Sequence, residues 1–201
     1  MRRQFPRLRE LPPHTHDVAA LEKKIRRPAA AGLRLTRIRT ARLQLREMGE
    51  DDAAFIVVLL NQPSFIRFIG DRGVRTESDA RRYICNGPVA SYRSHGFGLY
   101  LVELTEMQIP IGICGLLKRD ELDDPDIGFA LAEPFHANGY AFEAAAAVIE
   151  HSRNQLGIDR IGAITLADNT ASIRLLQKIG MNYQRPVKIG AEMLQLYLWS
   201  R

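Results

Sequence analysis

The sequence predicts an α/β (α+β) domain, a mixed central sheet of about seven strands flanked by about four helices. Three observations carry that expectation. Residues 126–156 read as an apolar strand, a short loop and a helix whose start is marked by Gly139. Residues 160–179 repeat the pattern, a strand ending in Ala167-Asp168-Asn169 and a helix closed by Gly180. The β-rich segments 97–104 and 109–117 are separated only by Thr105-Glu106-Met107-Gln108, which makes them an antiparallel hairpin. Helical crossovers and a hairpin in one chain require parallel and antiparallel neighbours in one sheet.

Residues 1–35 read as a basic N-terminal extension, punctuated by Pro6, Pro12, Pro13 and Pro28 and expected to be disordered. Within it Asp17, an N-cap type, and the pair Leu21/Ile25 predict a short helix over Asp17–Arg26. The folded domain is expected over residues 36–201. Its first strand follows from the alternation of Ile38, Thr40, Leu43 and Leu45. Glu50-Asp51-Asp52 then signals a helix, and Gly49–Ile69 reads as helical sequence. A second helix begins at the capping pattern Thr76-x-x-Asp79 and reaches about Arg93. After the hairpin, the charged connection Lys118–Pro125 leads into strand 126–132, so three strands precede the loop. Helix 139–156 carries Ala141, Ala144, Ala145, Val148, Ile149 and Leu156 at helical spacing, a stripe suited to lie on a sheet. Strands 182–188 and 192–199, joined at Gly190, close the chain after the helix 170–179.

The net charge of +5 divides unevenly: residues 1–39 carry eleven Lys/Arg against three Asp/Glu, and residues 40–201 seventeen against twenty. The basic character therefore belongs to the extension, and the acidic balance of the rest argues against an extended nucleic-acid face. No apolar run approaches the eighteen or so residues of a membrane span, so a soluble, cytoplasmic protein is expected. Cys85 and Cys114 have no metal-type spacing and read as packing residues. The five histidines are dispersed, and no metal site is expected.

The first turn of a helix presents N–H groups without internal partners at the positive end of the helix dipole, which suits anionic oxygens. That singles out His136-Ala137-Asn138-Gly139-Tyr140-Ala141, where Gly139 permits close approach. Here the chain resembles the GNAT superfamily of acyl-CoA-dependent N-acyltransferases, whose phosphate loop is Gln/Arg-x-x-Gly-x-Gly/Ala. The end of the motif matches, and His136 replaces its first residue. Arg42-Leu43-Gln44-Leu45-Arg46-Glu47 resembles the RLxLR first strand of the branch containing the ribosomal-protein N-terminal acetyltransferases, the Rim enzymes. Asp126-Ile127-Gly128-Phe129-Ala130-Leu131 is similar to that branch's acidic-Ile-Gly-aromatic strand, and the segment from Asn169 to Met181 to its NxxSxrLlxklGF helix. In order, these segments cover roughly residues 39–200.

The resemblance implies a GNAT fold in which the family's fourth and fifth strands, here 126–132 and 160–167, splay apart. The pantetheine arm of acetyl-CoA would lie in the gap on backbone groups of Phe129, Ala130 and Leu131. Its pyrophosphate would sit on the amides of Ala137, Asn138, Gly139, Tyr140 and Ala141. His136 would add a hydrogen bond or, protonated beside a phosphate, a charge. Asn169 is implied against the pantetheine or as the N-cap of the helix beginning at Thr170. Many members carry in that helix a tyrosine that protonates the departing thiolate. The matching position is Leu176, and Ser172 is the nearest hydroxyl. For a general base the candidates are Asp126, which matches the family's acidic residue, and then Glu103 and Glu121.

What the resemblance implies is an acetyl-CoA-dependent N-acetyltransferase that acylates a primary amine, a protein or peptide N-terminus or a small molecule, by direct attack in a ternary complex. The alternative is a catalytically degenerate acyl-CoA-binding protein of the same fold, motivated by His136 and Leu176. A third class, nucleic-acid binding, would depend on the basic extension alone. A monomer or homodimer with no membrane partner is expected. The helices that would line the acceptor side hold no legible motif.

Overall fold

The apolar alternation of the first strand changes parity between Ile38 and Leu43, and a strand cannot continue through such a slip without turning one set of side chains to the wrong face. The structure, a computed structural model describing residues 36–200, shows the consequence: β1 (Thr36–Arg39) and β2 (Leu43–Arg46) are separate antiparallel strands. Thr40 N donates to Leu43 O at 2.9 Å and Leu43 N to Thr40 Oγ1 at 3.0 Å, closing the turn between them. The sheet therefore has eight strands where sequence led to seven. The extension 1–35 and its expected helix lie outside the described residues.

β3 (Leu99–Leu104), β4 (Ile109–Leu117), β5 (Asp126–Leu131), β6 (Arg160–Thr165), β7 (Asn182–Ile189) and β8 (Glu192–Ser200) complete the sheet in the order β1-β2-β3-β4-β5-β6-β8-β7. Every neighbouring pair is antiparallel except β5 and β6, which are parallel and meet at one register pair, Asp126 with Gly162. By contrast β4 and β5 are matched along the whole of β5, from Gly112–Leu131 to Leu117–Asp126. Their approach is tight enough that a Cβ on Gly112 would stand 2.3 Å from Ala130 O.

The helices are shorter and more numerous than sequence suggests, for two reasons that involve proline. Pro63 interrupts the first helical stretch, which divides into α1 (Ala53–Leu60) and α2 (Pro63–Phe68), because proline tolerates only the first turn of a helix. The second begins as expected at α3 (Glu77–Ile84), with Asp79 N donating to Thr76 Oγ1 at 3.1 Å and Thr76 N to Asp79 Oδ2 at 2.9 Å. Pro88 then removes an N–H, and residues Cys85–Val89 widen into a π segment before α4 (Ala90–His95). Two further helices, α5 (Tyr140–Leu156) and α6 (Thr170–Lys178), follow β5 and β6.

Beside a small cluster of Leu122, Val187 and Leu194, one larger hydrophobic core unites sheet and helices. Ala144, Ala145, Val148 and Ile149 of α5 and Phe55, Ile56, Leu59 and Leu60 of α1 are all buried in it. Within it lies a charged cluster. Arg46 spans both oxygens of Asp52 at 2.8 and 2.9 Å and donates to Glu103 Oε1 at 2.8 Å, while Gln44 Nε2 donates to Glu103 Oε2 at 2.8 Å. Burial works against the Arg46 cation, but its bonds to Asp52 and Glu103 outweigh that and raise its pKa. Removing Arg46 takes the shared cation away from two buried carboxylates. Arg46→Met is therefore expected to lower unfolding free energy by about 3–5 kcal/mol in denaturant titration. A loss below about 1 kcal/mol would mean that the carboxylates reach water without it.

Candidate active site

Hydrogen-bond parity fixes what β5 offers to the gap beside it. Ala132 N donates to Ile111 O at 2.8 Å, so the even-numbered residues 128, 130 and 132 bond toward β4 and the odd-numbered ones face the other way. Gly162 N donating to Pro125 O at 2.8 Å agrees with that assignment. Beyond the pair Asp126–Gly162 no strand stands opposite Phe129 and Leu131; both N–H groups and the Phe129 C=O face the opening between β5 and β6, while the Leu131 C=O accepts from His136 Nε2. The expected splay is present, with Phe129, Ala130 and Leu131 along it.

At the open end of the gap the chain turns through Glu133–Phe135 and the loop 136–139 into α5. Gly139 is the N-cap residue, with φ 79° and ψ 0°, and Ala137 is left-handed too, at φ 60°. Two left-handed residues either side of Asn138 turn the backbone into the positive end of a seventeen-residue helix. The first-turn amides of Tyr140, Ala141 and Phe142 have no carbonyl one turn back to bond. The residues thus fit a phosphate-bearing ligand: helix-start amides, and a Gly139 whose backbone a Cβ would strain.

His136 stands differently from the expected phosphate contact. Its Nε2–H donates to Leu131 O at 2.8 Å, so the ring folds back over the end of β5. A cluster that sequence reasoning missed takes the place beside the loop. Arg42 Nε donates to Glu143 Oε2 at 2.7 Å, Arg42 Nη1 to Asn138 O at 3.1 Å, and the guanidinium stacks 4.4 Å from the Tyr140 ring centroid. Glu143 Oε1 accepts from Thr40 Oγ1 at 2.6 Å and from Arg42 N at 2.9 Å. The β1–β2 turn is therefore pinned to the first turn of α5. Burial would raise the Glu143 pKa, but its bonds to Thr40 and Arg42 prevail and hold it below the usual range. The signal was present in the Arg42 motif, but only the turn at residues 40–42 brings it to the loop.

Asp126 sits at the closed end of the gap, buried, with Arg119 Nε donating to its two oxygens at 3.0 and 3.1 Å. Burial pushes its pKa up, opposed by Arg119. Glu103 is committed to Arg46 and Gln44 in the core, and Glu121 is exposed on the connection before β5. Asn169 caps α6, its Oδ1 accepting from Ser172 N at 3.1 Å, and Ser172 is half-buried. Leu176 is buried in the core. Across the open end lies α2: Gln62 Oε1 accepts from Glu133 N at 3.0 Å, Ser64 Oγ donates to Glu133 Oε1 at 3.0 Å, and Arg67 Nη2 reaches Asp168 Oδ2 at 3.2 Å. One short helix thus touches the segments that follow both splayed strands. Among the described residues no cluster of three potential metal ligands occurs, and no helix is long and apolar enough to cross a membrane.

The acetyltransferase (GNAT) domain family matches residues 42–182. The chain belongs to the GNAT acetyltransferase family. It is 27% identical over 165 residues to the YkkB protein of Bacillus subtilis (strain 168), spanning 81% of this chain and 94% of that protein. Its GNAT fold is shared with RimL, the ribosomal L7/L12 alpha-N-protein acetyltransferase, at a TM-score of 0.71 and 15% identity, covering 87% of this chain and 97% of RimL. The microcin C7 self-immunity acetyltransferase MccE, solved with acetyl-CoA and AMP, gives a TM-score of 0.70 at 16% identity over 81% of this chain and 94% of MccE.

Ala137 carries a testable strain. A left-handed L-residue costs about 1–2 kcal/mol, and glycine restores about 0.5–1 kcal/mol of unfolded-state entropy against that gain. Ala137→Gly should therefore raise the unfolding free energy by about 0.5–1 kcal/mol. A clear decrease would show that the Ala137 methyl makes contacts worth more than its backbone strain.

Proposed function

We propose that this chain is an acetyl-CoA-dependent N-acetyltransferase, of the branch that includes the ribosomal-protein N-terminal acetyltransferases, acting on a primary amine of a peptide or small molecule. The observation that carries the reading is the gap between β5 and β6, edged by backbone groups of Phe129 and Leu131 and ending at the glycine-capped start of α5. MccE, of the same fold, is solved with acetyl-CoA, which supports the choice of donor. Acetyl-CoA would supply an activated thioester. The residues to hold it are Phe129 and Leu131 through their gap-facing backbone, and Ala137 to Ala141 through loop and helix-start amides; Ala130, expected from sequence to join them, has its backbone bonded to β4 instead.

Gap-facing N–H groups on β5 are rigid donors, suited to stabilise negative charge developing on an acyl oxygen. An attacking amine must be neutral, and Asp126 is the carboxylate at the closed end of the gap to accept its proton, directly or through water. Its raised pKa makes it a stronger base than a solvated aspartate. Direct attack is favoured over an acyl-cysteine because burial pushes the Cys114 thiol up, keeping it protonated. A second reading, a binding protein without turnover, is favoured by Leu176, buried where many relatives of this fold carry an acid.

Thiol release from acetyl-CoA, followed across peptides with free N-termini, polyamines and aminoglycosides, should show amine-dependent turnover. CoA binding without turnover across the panel would favour the second reading, and absence of CoA binding would end both. Gly139→Val should remove most CoA affinity in calorimetry while the protein stays folded, because valine opposes the left-handed backbone there. Undiminished affinity in the folded variant would reject the loop assignment.

The Asp126 carboxylate loses its role as it protonates, so wild-type turnover should fall as pH drops through its raised pKa. Asp126→Asn should cut turnover by about 10²–10⁴-fold near neutrality and recover in part at high pH, where the amine is already neutral. Full activity of that variant between about pH 6 and 9 would make Asp126 a structural partner of Arg119.

A further inference from the structure

His136 is turned away from the loop. Its Nε2 is given to Leu131 O at 2.8 Å, so the ring is engaged at the end of β5 rather than along the loop backbone. Arg42 is oriented the opposite way. Its Nε donates to Glu143 Oε2, Nη2 lies 2.7 Å from the same oxygen, and Nη1 donates to Asn138 O. A guanidinium has five N–H groups, so one hydrogen on each terminal nitrogen is left over, and the side chain is 47% exposed. Nη2 is also 3.5 Å from where a Cβ of Gly139 would stand. A groove of about 850 Å³ opens here, with Gly139 and Arg42 on its wall and Arg39 and Lys178 further along. Glu143 lies on the same wall, its charge offset by Arg42, and Glu150 lines it as well.

We propose that Arg42 is the side chain that binds the pyrophosphate of the acyl-CoA donor, in the place a basic first residue of the loop would fill; the inference rests on the acyl-CoA reading above. Three features make it suited to that task. Its guanidinium is held by stacking on Tyr140, so little rotamer freedom is lost on binding. Its bond to Asn138 O sets the charge against the loop backbone itself. Its pairing with Glu143 removes a negative charge from the first helical turn, where a carboxylate would repel a phosphate.

Calorimetric titration with CoA, dephospho-CoA (which lacks the 3′-phosphate) and pantetheine tests the assignment on the wild type, Arg42→Gln, Glu143→Gln and the double variant. Loss of a charge-assisted contact predicts that Arg42→Gln weakens CoA and dephospho-CoA alike by roughly 10- to 100-fold and leaves pantetheine unaffected. Glu143→Gln should bind CoA at least as tightly as wild type, and the double variant should stay weak. Recovery in the double variant would overturn the proposal, since the loss would then stem from the bared Glu143 carboxylate. Unchanged CoA affinity in folded Arg42→Gln would overturn it too, as would a loss confined to CoA, which would place the contact at the 3′-phosphate. Should Arg42→Gln not fold, Arg42→Met keeps packing on Tyr140 without the charge, and a CoA affinity equal to wild type in that folded variant would assign Arg42 a structural role only. A wild type that binds no CoA would refute the acyl-CoA reading, and this assignment with it.

Discussion

The parallel contact between β5 and β6 is made at one register pair, Asp126 with Gly162, and the shape of the molecule follows from it. A sheet that parts there leaves backbone N–H and C=O groups without a strand to bond, which a folded chain tolerates only where water or a ligand satisfies them. The rest of the sheet is closed around that opening. β4 is matched to β5 along the whole strand, at a distance that leaves no room for a side chain on Gly112, and β6 is matched to β8 from Arg160 to Thr165. Strong pairing on both outer flanks holds the two strands rigidly apart.

Charge is handled differently at the two ends of this framework. In the core, Arg46 serves two buried carboxylates and gains nothing from solvent, so its contribution is to fix β2, β3 and the turn before α1 in one arrangement. At the loop, a half-exposed Arg42 and a mostly covered Glu143 join the β1–β2 turn to α5. The first cluster sets the fold, while the second sets the entrance to the gap. Only two and four residues separate these roles along the segment 40–46, which explains why a single strand-like motif in sequence carries both.

Much of this was legible from residue patterns. The strand, loop and glycine of 126–139 and the Asn169 cap of α6 follow from local chemistry: a left-handed N-cap position needs glycine, and an asparagine before a helix accepts from its first-turn amide. The splay was not legible from periodicity, because partnering between strands is a tertiary property, and it entered as an expectation from family resemblance. The division of the first strand was missed, although the parity slip between Ile38 and Leu43 marks it. The π segment depended on Pro88 acting inside a helix whose cap pattern looked continuous. His136 was expected beside phosphates because of its place in the loop, yet its ring found the carbonyl of Leu131, five residues back, which no spacing rule anticipates.

Amide hydrogen exchange tests the central claim, that the β5–β6 gap holds the thioester arm of an acyl-CoA. The amides of Phe129 and Leu131 should exchange rapidly in the free protein and slow markedly with saturating CoA, while Ala130, bonded toward β4, should be protected in both states. Saturating CoA that leaves Phe129 and Leu131 unprotected would place the ligand elsewhere and contradict the account.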